Sequence, residues 1–200
     1  MYDSVNVESI PPTATMVAGY VDGLYANTHL LRQRFPKATL VEIAVNSHSD
    51  SGHVLDVETG DATPTEAVSW VLTRRRAGAD PSVYCNASEW PHVRAAFKHA
   101  AVTEPHYWIA KWDNVAALLP GTVAKQFKNT THYDESVVAD YWPGVDPKPK
   151  PTKPKTYKVK KGDTLSSIAV AHKMTLKALE KKNPQIKNFD LIYPGEVINL

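Results

Sequence analysis

The sequence predicts an α/β fold in two parts, an irregular (β/α) barrel with helix-poor last strands followed by a small βααβ module. Three features predict it. Short runs rich in Val, Tyr and Trp alternate with helical stretches through residues 1–145, and after Trp108 the gaps between runs become too short for crossover helices. The segment DPKPKPTKPK, residues 146–155, then breaks the chain with proline at nearly every second position. Beyond it, residues 156–200 carry a separate pattern of two short apolar alternations flanking two helical ones.

MYDSV, MVAGYVDG, TLVEIAV, HVLDVETG, PSVYCN, HYWIAKW, TVAKQF and DESVV read as strands, in that order. THLLRQRFP, PTEAVSWVLTRRRAGAD and WPHVRAAFKHAAV read as helices between the early ones. The second helix is the clearest: Thr63 and Glu66 form a capping box, Pro64 suits the first turn, Ala67, Val68, Val71 and Leu72 make an apolar stripe, and Gly78 ends it. Such a TIM-like barrel gathers its chemistry at the carboxyl ends of its strands. The segment 146–155 favours polyproline II at ~3.1 Å per residue, a semi-rigid spacer of roughly 30 Å. The expected division is thus a barrel at 1–145, a linker at 146–155 and a module at 156–200.

No window approaches the roughly 18 uninterrupted apolar residues that a membrane span requires, and MYDSVNVESIPP has neither the basic start nor the apolar stretch of a secretory signal. Cys85 stands alone, which excludes an internal disulfide framework and any multi-cysteine zinc site, and it reads as a small buried apolar residue. His48 and His53 lack the spaced companions of a metal site, so neither metal nor cofactor is expected. The net charge of +2 hides an asymmetry: residues 1–147 carry 11 basic against 17 acidic side chains, residues 148–200 carry 12 lysines against 4 acids. A basic module suits a polyanionic surface, whether nucleic acid, anionic lipid or a cell wall bearing acidic polymers. The chain has no Gly-rich phosphate loop, helix-turn-helix pattern or RNA-binding aromatic motif, so nucleic acid is not an expected partner. Arg74, Arg75 and Arg76 read as a solvated helix face.

Within the module, Tyr157 to Val159 alternate as a strand, Gly162-Asp163-Thr164 opens a helix, and Leu165, Ile168, Ala169 and His172 follow at helical spacing. Thr175 can cap a second helix through Leu176 and Leu179, stopped by Asn183-Pro184. Val197 to Leu200 make a closing strand, free to pair antiparallel with the first. These residues, with Ile192, Pro194, Gly195 and Ile198, resemble a LysM module over the whole tail. The resemblance implies binding of N-acetylglucosamine-containing glycans, peptidoglycan first and chitin second. It places the sugar in a groove with Gly162, Asp163, Thr164 and Leu165 on one side and Asn183, Pro184, Gln185 and Ile186 on the other, Leu191 and Ile192 nearby. Leu165, Ile168 and Ile186 also read as core, since so small a module needs every apolar side chain.

In the first part, Asp56 and Glu58 stand two apart near the end of the fourth run, so on a strand they emerge from one face at ~6.5–7 Å spacing. Glycoside cleavage uses such a pair, one carboxylic acid to protonate the leaving oxygen and one carboxylate to stabilise positive charge or support a nucleophile. Taken alone, D-x-E reads equally as a strand-end cap or a partner for Arg74 to Arg76. Asp3, the DVE of 56–58, PSVYCNASEW, YWIAKW, KQF and YDESVV, in this order, resemble glycoside hydrolase family 25, the lysozyme-like muramidases, and more closely a shortened variant found in actinobacteria and their phages. The family fold is a barrel whose first five strands alternate with helices and whose last three do not. The resemblance implies cleavage with retention of the β-1,4 bond between N-acetylmuramic acid and N-acetylglucosamine, assisted by the substrate acetamide. It implies Glu58 as general acid/base, Asp56 orienting and stabilising the acetamide or oxazolinium, Asp3 and Asp134 completing an acidic mouth, and Tyr84, Trp112 and Gln126 lining the sugar cleft.

The sequence also departs from that family. Its opening D-x-S-x-x-Q-G is here Asp3-Ser4-Val5-Asn6-Val7-Glu8-Ser9, and Lys125 replaces the Trp that usually precedes the seventh-strand Gln. Trp108 and Trp112 read either as sugar-stacking platforms or as packing. The joint expectation is a monomeric, phage endolysin-like peptidoglycan hydrolase, without a signal peptide, held in the host cytoplasm before acting at the wall. The alternative is a non-catalytic, peptidoglycan-binding structural protein with a degenerate barrel.

Overall fold

The computed structural model describes residues 1–148 and 155–200, and the chain divides into two compact units, Met1–Lys148 and Pro149–Leu200. The expected spacer lies largely in 149–154, outside the described residues. Its first three residues, 146–148, fall in the first unit, where Asp146 Oδ2 accepts from the Trp142 amide at 2.6 Å and the Asp146 amide donates back to Trp142 O at 2.9 Å.

The first unit is a closed barrel of eight strands: β1 (Tyr2–Asp3), β2 (Met16–Tyr20), β3 (Thr39–Ala44), β4 (Val54–Asp56), β5 (Ser82–Asn86), β6 (His106–Ala110), β7 (Ala124–Asn129) and β8 (Asp134–Val138). Strands β1 to β7 pair in chain order and in parallel, and β8 closes the ring antiparallel to both β7 and β1. Parallel strands covered on both sides need continuous apolar runs, and Ser82 to Cys85 and Tyr107 to Ala110 are buried without a break.

Three helices cover crossings: α1 (Thr28–Arg34) between β2 and β3, α2 (Pro64–Arg76) between β4 and β5, and α3 (Trp90–His99) between β5 and β6. The regular alternation implied by the family resemblance fails twice. A single 3-10 turn, Val7–Ser9, joins β1 to β2, and residues 45–53 join β3 to β4 without a helix. The latter stretch is too short for a crossover helix, and side chains hold it instead. Asp22 Oδ1 accepts from the Val45 amide at 2.8 Å, and the Trp70 indole donates to Ser49 O at 2.9 Å.

Trp70, 1% exposed, joins Ala67, Val68 and Val71 on the buried face of α2, while Leu72 is only partly buried. The capping box forms: Thr63 Oγ1 accepts from the Glu66 amide and Glu66 Oε2 from the Thr63 amide. The arginine run is not simply a solvated face. Arg74 donates to Asp50 O and Gly52 O, and Arg75 to Thr103 O and Glu104 O, so two guanidiniums tie loops to the helix.

An aromatic column fills the barrel interior. Tyr84 stacks edge-on to Trp108 at 4.8 Å, and Trp108 to Trp142 at 5.9 Å. Trp142, beyond β8, is fully buried and donates its indole hydrogen to Ser82 Oγ, at the start of β5, so it plugs the amino-terminal end of the parallel strands. Gly144 follows at φ +84, and a Cβ there would meet Asp80 O at 2.0 Å. Gly144→Ala is therefore expected to cost about 3 kcal/mol of barrel stability, from the left-handed backbone and the overlap together, measured by urea unfolding.

The second unit is β9 (Thr156–Lys158), α4 (Leu165–Ala171), α5 (Leu176–Lys182) and β10 (Val197–Asn199). The strands pair antiparallel with Tyr157 opposite Ile198. Thr164 and Thr175 cap the helices, and Asn183 ends α5. Val159, Leu165, Ile168, Ala169, Leu179 and Ile198 form the core. Among the described residues, no helix is long and apolar enough to cross a membrane.

Candidate active site

At the carboxyl ends of the parallel strands a cavity of ≈ 220 Å³ takes Asp3 from β1, Asp56 from β4, Glu58 just beyond it and Asp134 from β8. Tyr84, Trp112 and Gln126 line the same cavity. Strand pairing explains the convergence. Asp3 and Asp134 are direct partners across the antiparallel seam, so their carboxylates stand side by side. Asp56, Tyr84 and Trp108 are successive partners across β4, β5 and β6, and so form one inward-facing layer. Strand β4 ends at Asp56, so Glu58 is carried by the following bend and not by a strand as expected, yet it opens on the same space.

Gln126 organises this space. Its Oε1 accepts from the Trp112 indole at 2.8 Å and from Tyr84 OH at 3.0 Å, which commits its Nε2 to donate to Asp3 Oδ2 at 3.0 Å and Asp134 Oδ2 at 3.3 Å. One amide thereby fixes two aromatic rings and two carboxylates. A bulge between Gln126 and Lys128 lets Asn129, three residues on, also line the cavity, which an unbroken strand would forbid.

The carboxylates are crowded and poorly solvated. Asp3 and Asp56 are 6% and 4% exposed, and Oδ1 of each is buried with no hydrogen-bond partner. Burial first, then Asp134, pushes Asp3 up to about 7 against the donation from Gln126. Burial first, then Glu58, Asp61 and Asp3, raises Asp56 well above the usual carboxylate range. Glu58 is raised by burial and Asp61, and Asp134 by burial. Among the described residues, none of the four forms an ion pair; Arg74 and Arg75, the alternative partners of the D-x-E pair, are bound to carbonyls. Such a site holds protons near neutrality and offers unpaired acceptor oxygens to a ligand's N–H or O–H.

The two tryptophans divide between the readings given to them. Trp108 is 1% exposed, with its indole hydrogen on Ser136 Oγ, and is packing that floors the cavity. Trp112 is 55% exposed and free to stack. Tyr20, Ile43 and Asn129 also line the cavity and escaped the sequence reading. Tyr20 and Ile43 are partners on β2 and β3, which mark no chemistry by spacing. His53 is structural: its Nδ1 accepts from the Glu42 amide at 3.0 Å. Cys85 is buried as expected, its thiol pushed up to about 12 by burial.

Lys125, whose position departs from the family pattern, is 1% exposed and faces away from the cavity. Its ammonium donates to Asp113 Oδ1 at 2.6 Å and Val115 O at 2.9 Å, so it fastens the loop that bears Trp112. Lys125→Met is expected to raise amide hydrogen exchange at Asn114 and Val115 about tenfold while the strands stay protected. Unchanged exchange in this loop would remove Lys125 from that role.

In the second unit the candidate glycan residues do not share one fate. Leu165 is core, and Asn183, fully buried, donates to Leu179 O and Asn199 O and accepts from the Asn199 amide, so neither presents a free side chain. Asp163 Oδ2 accepts from the Lys160 amide and Tyr157 OH, holding the loop after β9. Thr164 is occupied as a helix cap, while Gly162, Pro184 and Gln185 are exposed and Ile186 is partly buried. A cavity of ≈ 280 Å³ lies against Gln185, Ile186 and Leu191 on one side and Val197 and Ile198 on the other, and takes no wall from residues 162–165.

Residues 157–200 match the LysM domain. The endolysin of Bacillus phage B103 is 53% identical over 53 residues, 26% of this chain and 20% of that protein. The endolysin of Bacillus phage PZA is 52% identical over 46 residues, 23% and 18% of the two chains. A chlorophenol reductase of Desulfitobacterium hafniense is 52% identical over 42 residues, 21% and 13%. The two endolysin similarities fall on the LysM region, and each of the three spans a fifth or less of the relative's length. No solved structure matches the chain.

Proposed function

We propose that the chain is a peptidoglycan hydrolase of the lysozyme-like muramidase type, a TIM-like barrel anchored to the wall by its LysM unit. The observation that carries this reading is the convergence of Asp3, Asp56, Glu58 and Asp134 with Tyr84, Trp112 and Gln126 in one cavity at the carboxyl ends of the strands. In this reading Glu58, its carboxyl raised by burial and Asp61, protonates the glycosidic oxygen. The unpaired Asp56 Oδ1 accepts the N–H of the sugar's acetamide, whose oxygen then closes on C1. Glu58, now ionised, takes a proton from the water that reopens the ring, and two displacements leave the configuration retained. Asp3 and Asp134, held by Gln126, keep the mouth acidic, and Trp112 offers a face to a neighbouring sugar.

The LysM match and the endolysin relatives support action at a cell wall. The lysines of the C-terminal part favour a wall bearing anionic polymers, and tethering raises the local substrate concentration without new contacts at the barrel. In the endolysin role the protein is held in the host cytoplasm until the membrane opens. Digesting purified peptidoglycan with the full chain, followed by mass spectrometry of the soluble fragments, tests the reading. Fragments ending in reducing N-acetylmuramic acid support it. Reducing N-acetylglucosamine ends, newly freed amino groups, or wall that is bound but uncut would each replace it, the last with a non-catalytic wall-binding protein.

A further inference from the structure

The cavity of ≈ 280 Å³ in the second unit is walled on one side by three consecutive residues, Glu196, Val197 and Ile198. Side chains alternate across a strand, so a cavity that meets all three lies along the strand's edge and faces backbone. Ile198 is the register partner of Tyr157, the Val159 amide donates to Glu196 O, and the Leu200 amide donates to Lys155 O. Residues 196, 198 and 200 thus turn their hydrogen-bonding groups toward β9, and Val197 and Asn199 turn theirs to the outer edge. At Asn199 that edge is capped: the Asn183 side chain accepts from its N–H and donates to its O, each at 2.8 Å, as a neighbouring strand would. Val197, exposed and two residues earlier on the same edge, meets no such cap among the described residues. An uncapped strand edge takes up an extended peptide. The rest of the cavity narrows which peptide fits. Its volume is that of about nine waters, room for a few small residues only. Ile186 and Leu191 offer apolar surface, while Lys187 and Glu196 bring one charge of each sign, neither in an ion pair among the described residues. The matching ligand is short, rich in methyl groups, and carries both a carboxylate and an amine.

We propose that this edge of β10 binds the stem peptide of peptidoglycan, in which alanines flank a γ-linked glutamate and a diamino acid. One peptide unit pairs with the N–H and O of Val197, with a carboxylate toward Lys187 and the amine toward Glu196. The inference rests on the reading of the second unit as the wall anchor. The cavity touches the glycan groove implied by the family resemblance at Gln185, Ile186 and Leu191 but takes no wall from residues 162–165. A sugar chain and the peptide it carries are then held by adjoining surfaces, and each raises the effective concentration of the other.

Two probes separate peptide from sugar in NMR titrations of the full chain: the glycan-free stem tetrapeptide, with lysine or diaminopimelate at its third position, and the N-acetylglucosamine pentamer. The peptide should shift the amides of Lys187, Leu191 and Val197, the pentamer those of residues 162–165, and the peptide should still bind when the pentamer is saturating. Val197→Pro removes the N–H on the open edge, where proline is tolerated, and should weaken the peptide at least about tenfold while pentamer affinity stays within about twofold. Retained pentamer binding also shows that the variant is folded. Lys187→Glu should weaken the peptide about fivefold at low salt, and it alone decides should Val197→Pro lose the pentamer as well. Failure of both forms of the peptide to bind, displacement of the peptide by the pentamer, or peptide affinity unmoved by the substitutions overturns the proposal and leaves the wall-anchor reading standing. A chain that binds neither peptide nor pentamer overturns both.

Discussion

Glu58→Gln should lower release of reducing muropeptides by roughly 10²–10⁴-fold, the contribution of a general acid/base, and leave retention on the wall through the C-terminal unit intact. The substitution keeps the side chain's size and removes only its proton transfer. Among the described residues the Glu58 carboxylate makes no hydrogen bond or ion pair, so the substitution breaks no side-chain contact of the fold. The pH profile offers a second readout. An acid that must carry its proton loses activity as pH rises through its pKa, and the raising of Glu58 by burial and Asp61 shifts that basic limb upward. Asp61→Asn should therefore move the limb back toward lower pH without removing activity. Cleavage that survives Glu58→Gln would transfer the role of acid to another carboxyl of the mouth.

Much of the barrel was legible because its elements obey local rules. Thr63, Pro64 and Glu66 start α2 by backbone chemistry, and the run Ser82 to Cys85 is buried without a break because a parallel strand is covered on both faces. The acids could be picked out by spacing and by resemblance, but their convergence is a property of ring closure. Asp3 and Asp134 stand 131 positions apart and meet only because β8 pairs antiparallel with β1. Gln126 was read as one cleft residue among several; that it fixes two rings and two carboxylates depends on four partners from four strands or loops. Asn129 faces the cavity through a bulge, which no periodicity marks. In the small unit the difficulty ran the other way. Leu165 and Asn183 belong to a recognisable motif, yet in so small a core a motif residue is as often needed for folding as for binding.

Asp3→Asn should stabilise the barrel at pH 8 by up to about 4 kcal/mol and leave its stability at pH 3 to 4 unchanged. The folded Asp3 carboxyl titrates at about 7 instead of 3.8, from burial first and Asp134 second. Below pH 3.8 both folded and unfolded chains hold the proton, and the residue costs nothing. As pH rises the unfolded chain ionises first, so it binds fewer protons than the folded one, and stability drains away until Asp3 itself ionises near 7. Asp56, Glu58 and Asp134, raised in the same direction, deepen the same slope. Asparagine keeps an oxygen to accept from Gln126 Nε2 and removes the ionisation, so the variant's urea midpoint should vary less between pH 4 and 8 than the wild type's. The five tryptophans, at 70, 90, 108, 112 and 142, all lie in the first unit, so their fluorescence reports barrel unfolding alone in the intact chain. A midpoint equally dependent on pH in both proteins would mean that Asp3 ionises normally and that the mouth is wetter than its burial implies. A flattened profile together with lost cleavage would mean that the barrel tolerates unfavourable charge at its mouth because the chemistry there needs it.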